Sequence, residues 1–206
     1  MRLIEDGQKI VFIGDSITQP ADGYVGMTEQ MLGALAPDAR VTCVNVGIGG
    51  NKIPDLLARA DQDLVAHDPD WITISIGIND VWHGINPEWT QVTGVPIDEF
   101  AKLYDELIAK LKKETHAKLA LFTTTVIGED LESEGNTKLI PYNDYIRATA
   151  AKNNALLVEM NGAFHKAIEK WHTVGEGLKF TSDGVHMKPA GNYLMAITLL
   201  RAWGLL

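Results

Sequence analysis

The chain has 206 residues, 46% of them hydrophobic, which suits a single domain over residues 1–206 with a full core and leaves little for a second. Eighteen Lys and Arg against 27 Asp and Glu give a net charge of −9, which repels phosphate backbones and anionic headgroups and argues against nucleic acid or membrane partners. Cys43 is the only cysteine, so neither an intrachain disulfide nor a thiolate metal site can be built.

No run approaches the ~20 apolar residues of a membrane span, and residues 1–7 carry no apolar stretch with a cleavage site. A reducing cytoplasm is the default expectation. Residues 9–13 read as a short buried strand ending in the turn formers Gly14 and Asp15, which leaves Ser16 at its carboxyl end. A serine there becomes a nucleophile only if a base takes its proton and donors hold the oxyanion.

Residues 21–24 read as a loop, and 25–35 as a helix with Met27, Met31, Leu32 and Leu35 on its apolar side. A second strand spans 40–46, followed by the glycine turn Gly47-Ile48-Gly49-Gly50-Asn51 and a helix over 53–65. Residues 71–76 are the most strand-like run and end in Gly77-Ile78-Asn79-Asp80. Residues 81–96 hold Trp82, Trp89, Gly84, Pro87, Gly94 and Pro96 and read as a loop over the sheet edge.

An amphipathic helix is expected over 98–114, with Phe100, Leu103, Leu107, Ile108 and Leu111 recurring at three and four. A fourth strand over 117–123 leads to an acidic loop, 126–137, through Glu129, Asp130, Glu132 and Glu134. Pro141 suits the first turn of the next helix, 155–158 is a fifth strand, and Asn161 can cap a helix running to Trp171. An irregular stretch, 173–184, precedes a helix from Pro189 to Leu200. Five strands alternating with helices predict a three-layer α/β/α sandwich around a parallel sheet, with its turns gathered at one edge.

At that edge, an Asp three residues before a His, as in Asp183-Gly184-Val185-His186, can accept the Nδ1 proton and aim Nε2 at a nucleophile; the alternative is a turn cap beside a solvated histidine. The 47–50 turn completes neither a dinucleotide fingerprint nor a P-loop, which leaves a backbone amide aimed at developing negative charge. Asn79, just past a strand, can donate its side-chain amide to the same charge or serve the turn itself.

Gly14-Asp15-Ser16, Asn45-Val46-Gly47-Ile48-Gly49-Gly50, Gly77-Ile78-Asn79-Asp80 and Asp183-Gly184-Val185-His186 resemble, in order and spacing, the four motif blocks of the SGNH (GDSL) hydrolase superfamily. The resemblance implies a flavodoxin-like fold and ester hydrolysis without metal or cofactor. By motif position, Ser16 is the nucleophile, His186 the base and Asp183 its orienting acid. The oxyanion falls to the Ser16 and Gly50 amides and the Asn79 side chain, with Gly49 the neighbour a one-residue slip would substitute. Asp15 braces the turn and stands with Trp82 and His83 at the edge of the substrate pocket.

Within the superfamily, Pro69-Asp70-Trp71 running into Gly77-Ile78-Asn79-Asp80-Val81-Trp82 is similar to intracellular acetylxylan esterases that deacetylate xylo-oligosaccharides. The implied substrate is a small ester, acetyl on an oligosaccharide, with Trp82 either an aromatic wall or a packed interface residue. Competing readings are a lysophospholipase- or thioesterase-like enzyme, an acyltransferase, and a non-catalytic glycan binder. His67, His116, His165 and His172 form no paired ligand spacing and read as structural or surface residues. Exposed tryptophans and the related esterases point to a homo-oligomer of unspecified number.

Overall fold

A computed structural model describes residues 2–85 and 93–206. Strands β1 (Lys9–Gly14), β2 (Thr42–Asn45), β3 (Trp71–Ser75), β4 (Lys118–Phe122) and β5 (Leu156–Val158) form one sheet in the order β2-β1-β3-β4-β5. Every neighbouring pair is parallel, with Phe12 beside Asn45 on one side of β1 and Gly14 beside Ser75 on the other. Strand order reverses between β1 and β3, and the crevice outside the carboxyl ends there is where an open α/β sheet binds ligands.

Helices α1 (Tyr24–Leu35), α7 (Met160–His172) and α8 (Pro189–Ala202) pack together on one face. The other face carries α2 (Ile53–Ala58), α3 (Ala60–Asp63), α4 (Ile78–Ile85), α5 (Ile97–Glu114) and α6 (Glu134–Asn153), so the sandwich has three layers. Buried between them, Ile10 to Ile13 of β1 are fully covered, as a central parallel strand requires. No helix among the described residues is long and apolar enough to cross a membrane.

Several elements depart from the pattern-based expectation for local reasons. In α1 the buried residues are Tyr24, Val25, Thr28 and Leu32, because Thr28 Oγ1 satisfies itself on the Tyr24 carbonyl at 2.7 Å; Leu35 is exposed. The helix expected over 53–65 breaks at Arg59, at φ −105° and ψ 6°, into α2 and α3. The turn expected at 77–80 is the start of α4, and residues 81–85 continue that helix; Pro87 and Trp89 lie outside the described residues.

Pro141 does not open α6 but sits inside it, seven residues after Glu134. Ser133 caps the helix earlier by accepting from the Asn136 amide, and Pro141 lies on the exposed side, where the Thr137 carbonyl it leaves unpaired can be hydrated. Asn161 is not a cap either. It lies within α7, donating its amide to Thr123 Oγ1 at 3.0 Å and its side chain to the Thr125 carbonyl at 2.8 Å, which ties the helix to the end of β4. Trp71 and Trp203 are buried against each other, so these tryptophans are core rather than exposed surface.

Candidate active site

Beyond Gly14 the chain folds back on Asp15. Its carbonyl accepts the Thr18 and Gln19 amides at 3.1 and 3.0 Å, and its Oδ1 accepts the Ile17 amide at 2.9 Å. The carboxyl is only 2% exposed, and burial pushes it up to about 6. Asp15 is therefore an internal brace and not a pocket wall, and it presents the partly exposed Ser16 at the end of β1.

From the far end of the chain, His186 Nε2 reaches Ser16 Oγ at 3.0 Å. Its Nδ1 lies 2.6 Å from Asp183 Oδ2, while Asp183 Oδ1 accepts the Val185 and His186 amides at 3.0 and 2.8 Å. Partial burial opposes the Asp183 charge, but the hydrogen bonds from the His186 ring and the two amides outweigh it and hold the carboxyl below its ordinary value. The Trp82 ring meets the His186 ring edge to face at 6.2 Å.

The turn after β2 is fastened to the serine turn. Asn45 Oδ1 accepts the Gly47 amide at 2.9 Å and its Nδ2 donates to the Thr18 carbonyl at 2.7 Å. The fit admits only glycine at 47, since a Cβ there would stand 2.5 Å from the Gln19 amide nitrogen. The Gly49 amide is spent on Gln19 Oε1 at 3.1 Å, whereas those of Ser16 and Gly50 have no acceptor among the described residues. Gly50 itself adopts φ +79°.

Asn79, 2% exposed in the first turn of α4, donates one side-chain hydrogen to the Asn51 carbonyl at 3.0 Å, which fixes the amide plane and leaves its second hydrogen. Beside it, Asp80 Oδ1 accepts the Ile53 amide at 3.0 Å, while Oδ2 is buried with no partner among the described residues; burial pushes this carboxyl up to about 7. His83 is also buried, with Nδ1 unpartnered among the described residues, and burial, helped by Lys52, lowers its pKa. Among the described residues, the contact of His83 toward the site is with Trp82, whose ring lies 5.9 Å away.

Sequence reasoning missed one residue that holds this arrangement. Glu129, expected in a solvated acidic loop, is 3% exposed and accepts the amides of Lys179, Phe180 and Thr181, all at 2.8 Å, and Thr181 Oγ1 at 2.9 Å. The neighbouring Gly128 amide adds a bond to the Gly184 carbonyl at 2.7 Å, so the loop after β4 grips the segment that carries Asp183 and His186. Burial raises the Glu129 carboxyl, but its four donors outweigh that and its pKa is lowered. Nothing in the sequence around Glu129 sets it apart from Asp130 or Glu132.

A serine hydroxyl, an imidazole and a carboxylate in line at the switch point have counterparts among known proteins. Residues 12–194 match the profile of the GDSL-like Lipase/Acylhydrolase family. The chain belongs to that family. It is accordingly a carboxylic ester hydrolase. An acetylxylan esterase of Geobacillus stearothermophilus is 29% identical over 98% of this chain and 96% of its own. The crystal structure of that esterase, Axe2, superposes with a TM-score of 0.89, and its solved forms include catalytic mutants in which a serine, an aspartate or a histidine is replaced by alanine. LAE5, an alpha/beta hydrolase enzyme from the metagenome of Lake Arreo, Spain, is 30% identical over 100% of this chain and 99% of its own, with a TM-score of 0.89.

Proposed function

We propose that the protein removes acetyl groups from carbohydrates of the acetylated xylo-oligosaccharide class, with Ser16 as nucleophile, His186 as general base and Asp183 as its orienting acid. The observation that carries the reading is the pair of contacts at His186: Nε2 to Ser16 Oγ at 3.0 Å and Nδ1 to Asp183 Oδ2 at 2.6 Å. With Nδ1–H held by the carboxylate, Nε2 is the free base and takes the hydroxyl proton as Oγ attacks the acetyl carbonyl.

Charge then develops on the carbonyl oxygen, where the Ser16 amide, the Gly50 amide and the remaining Asn79 hydrogen serve as donors. His186 passes its proton to the sugar oxygen as its bond to the acetyl carbon breaks, so the sugar leaves as an alcohol and an acetyl-Ser16 remains. A water that gives its proton to Nε2 attacks that ester and releases acetate, and the proton returns to Oγ. The residue types replaced in the catalytic mutants of Axe2 are those of this triad, and its description as an acetyl-xylooligosaccharide esterase supports the substrate. Trp82, edge to face with His186, offers an aromatic wall beside the nucleophile for a sugar ring.

Initial rates on p-nitrophenyl acetate, butyrate and octanoate, together with acetate release from acetylated xylobiose, test the reading in wild type and Ser16→Ala. Acetate release from the sugar and preference for the shortest acyl chain are expected, with kcat down by about 10⁶ in the variant. A preference for octanoate with an inert sugar would move the substrate to lipid-like esters. Equal rates for wild type and variant would remove Ser16 from the mechanism.

A further inference from the structure

Arg59 is the residue at which the helix expected over 53–65 breaks, and the break turns its side chain toward the carboxyl edge of the sheet, where it is 14% exposed. Its guanidinium makes four hydrogen bonds. Nη2 donates to the Gly14 carbonyl at 3.1 Å, Nη1 to the Val46 carbonyl at 2.7 Å and to Asp63 Oδ2 at 2.5 Å, and Nε to Asn51 Oδ1 at 2.8 Å.

Those acceptors flank two of the proposed oxyanion donors and connect to the third through Asn51. Gly14 stands two residues before Ser16. Val46 opens the glycine turn and Asn51 closes it, so the guanidinium clasps the chain on both sides of Gly50. The Asn51 carbonyl is in turn the acceptor that orients the Asn79 side chain. One planar group thus joins the ends of β1 and β2 to the residue that aligns the start of α4.

We infer that Arg59 is a positioning residue for ester hydrolysis: it sets the mutual spacing of the Ser16, Gly50 and Asn79 donors without touching substrate. The inference rests on the oxyanion assignment made above. A guanidinium suits the task because its five N–H groups lie in one plane and can serve several acceptors at fixed angles, whereas an ammonium offers a single point of charge on a flexible stem. Asp63 balances the charge, so the bonds to the two turns are gained without an uncompensated buried cation. Oxyanion stabilisation depends on donors fixed in place before charge develops, and sub-ångström drift in a preorganised site is costly.

The test is steady-state kinetics of Arg59→Lys, Arg59→Ala and Asn51→Ala on p-nitrophenyl acetate. Inhibition by an alkyl boronic acid, a mimic of the tetrahedral intermediate, is measured alongside. For both Arg59 variants kcat should fall about 10–100-fold with KM nearly unchanged, and boronate affinity should fall by a similar factor. Millimolar guanidinium chloride should restore part of the Arg59→Ala rate where sodium chloride of equal ionic strength does not.

Combining Arg59→Lys with Asn79→Ala should cost less than the two losses multiplied, since both act on one set of donors. If Arg59→Ala fails to fold by circular dichroism, Arg59→Lys and Asn51→Ala carry the test. Folded variants with wild-type kcat and boronate affinity would overturn the inference, as would a lost rate with unchanged boronate affinity. An Asn79→Ala variant of undiminished kcat would instead overturn the oxyanion assignment beneath it.

Discussion

Asp80, in the first turn of α4, and Glu129, in the loop after β4, are both buried, at 2% and 3% exposure, yet their carboxyls shift in opposite directions. Asp80 receives one amide, from Ile53, and burial pushes it up to about 7; Asp15, across the same edge, receives the Ile17 amide and rises to about 6. Glu129 receives four donors and Asp183 three, and both are lowered despite the burial that opposes them. At Glu129 the donors outweigh the burial that wins at Asp80, and the half-exposed Asp183 has three donors and less burial to overcome. The Ser16 edge is thus braced by acids pushed toward the neutral form, while the Asp183–His186 segment is held by acids pulled toward the ionised form.

Breaking the donor set at the nucleophile edge should have the larger catalytic effect. Asn79→Ala removes one of the proposed oxyanion donors and should lower kcat by about 10²–10³ on p-nitrophenyl acetate with KM little changed, as read from saturation kinetics. On the other side, Glu129→Gln keeps the shape but offers one oxygen and an NH₂ group to four donors. That leaves an N–H facing N–H and should cost about 1–3 kcal/mol in denaturant unfolding, with kcat lower by about tenfold as the Asp183–His186 segment loosens. A Glu129→Gln protein with wild-type stability would show that Gly128 and the Thr181–Met187 bridge hold the segment unaided.

How far each region could be read from sequence follows from the reach of its contacts. β1, β3 and α5 stand where hydrophobic periodicity puts them, because the signal lies within each element: Phe100, Leu107, Ile108 and Leu111 are all buried. The order of the four motif blocks brought Ser16 and His186 to one place although 170 residues separate them. The supports were not legible. Glu129 meets its partners 50 to 52 residues away, so its own neighbourhood describes only a polar loop. Arg59 looks like one more solvated helix position until the helix breaks. Pro141 inside α6 and Asn161 inside α7 failed for the converse reason: a local rule was overridden by the Ser133 cap and by tertiary bonds to Thr123 and Thr125.

The smallest effect expected is also the one of opposite sign. Asp80→Asn keeps an oxygen for the Ile53 amide and exchanges Oδ2, which has no partner among the described residues, for a neutral group. In the wild type the folded state retains a proton that the unfolded state has lost, between the ordinary carboxylate value of 3.8 and about 7. Stability therefore falls as pH rises through that window, and above it the fold carries a buried charge with a single partner. Replacing that charge should raise the thermal midpoint at about pH 8, by an amount equivalent to roughly 1–2 kcal/mol. The variant's profile should lack the Asp80 share of the fall, leaving only that of Asp15. Glu129 and Asp183 act in the reverse sense: their stabilisation is complete above the ordinary carboxylate range and is lost as pH falls through their lowered values. Glu129→Gln should therefore remain destabilised at about pH 8, where Asp80→Asn gains. If Asp80→Asn is instead less stable than wild type there, its Oδ2 has a partner in solution and the contrast between the two carboxylates collapses.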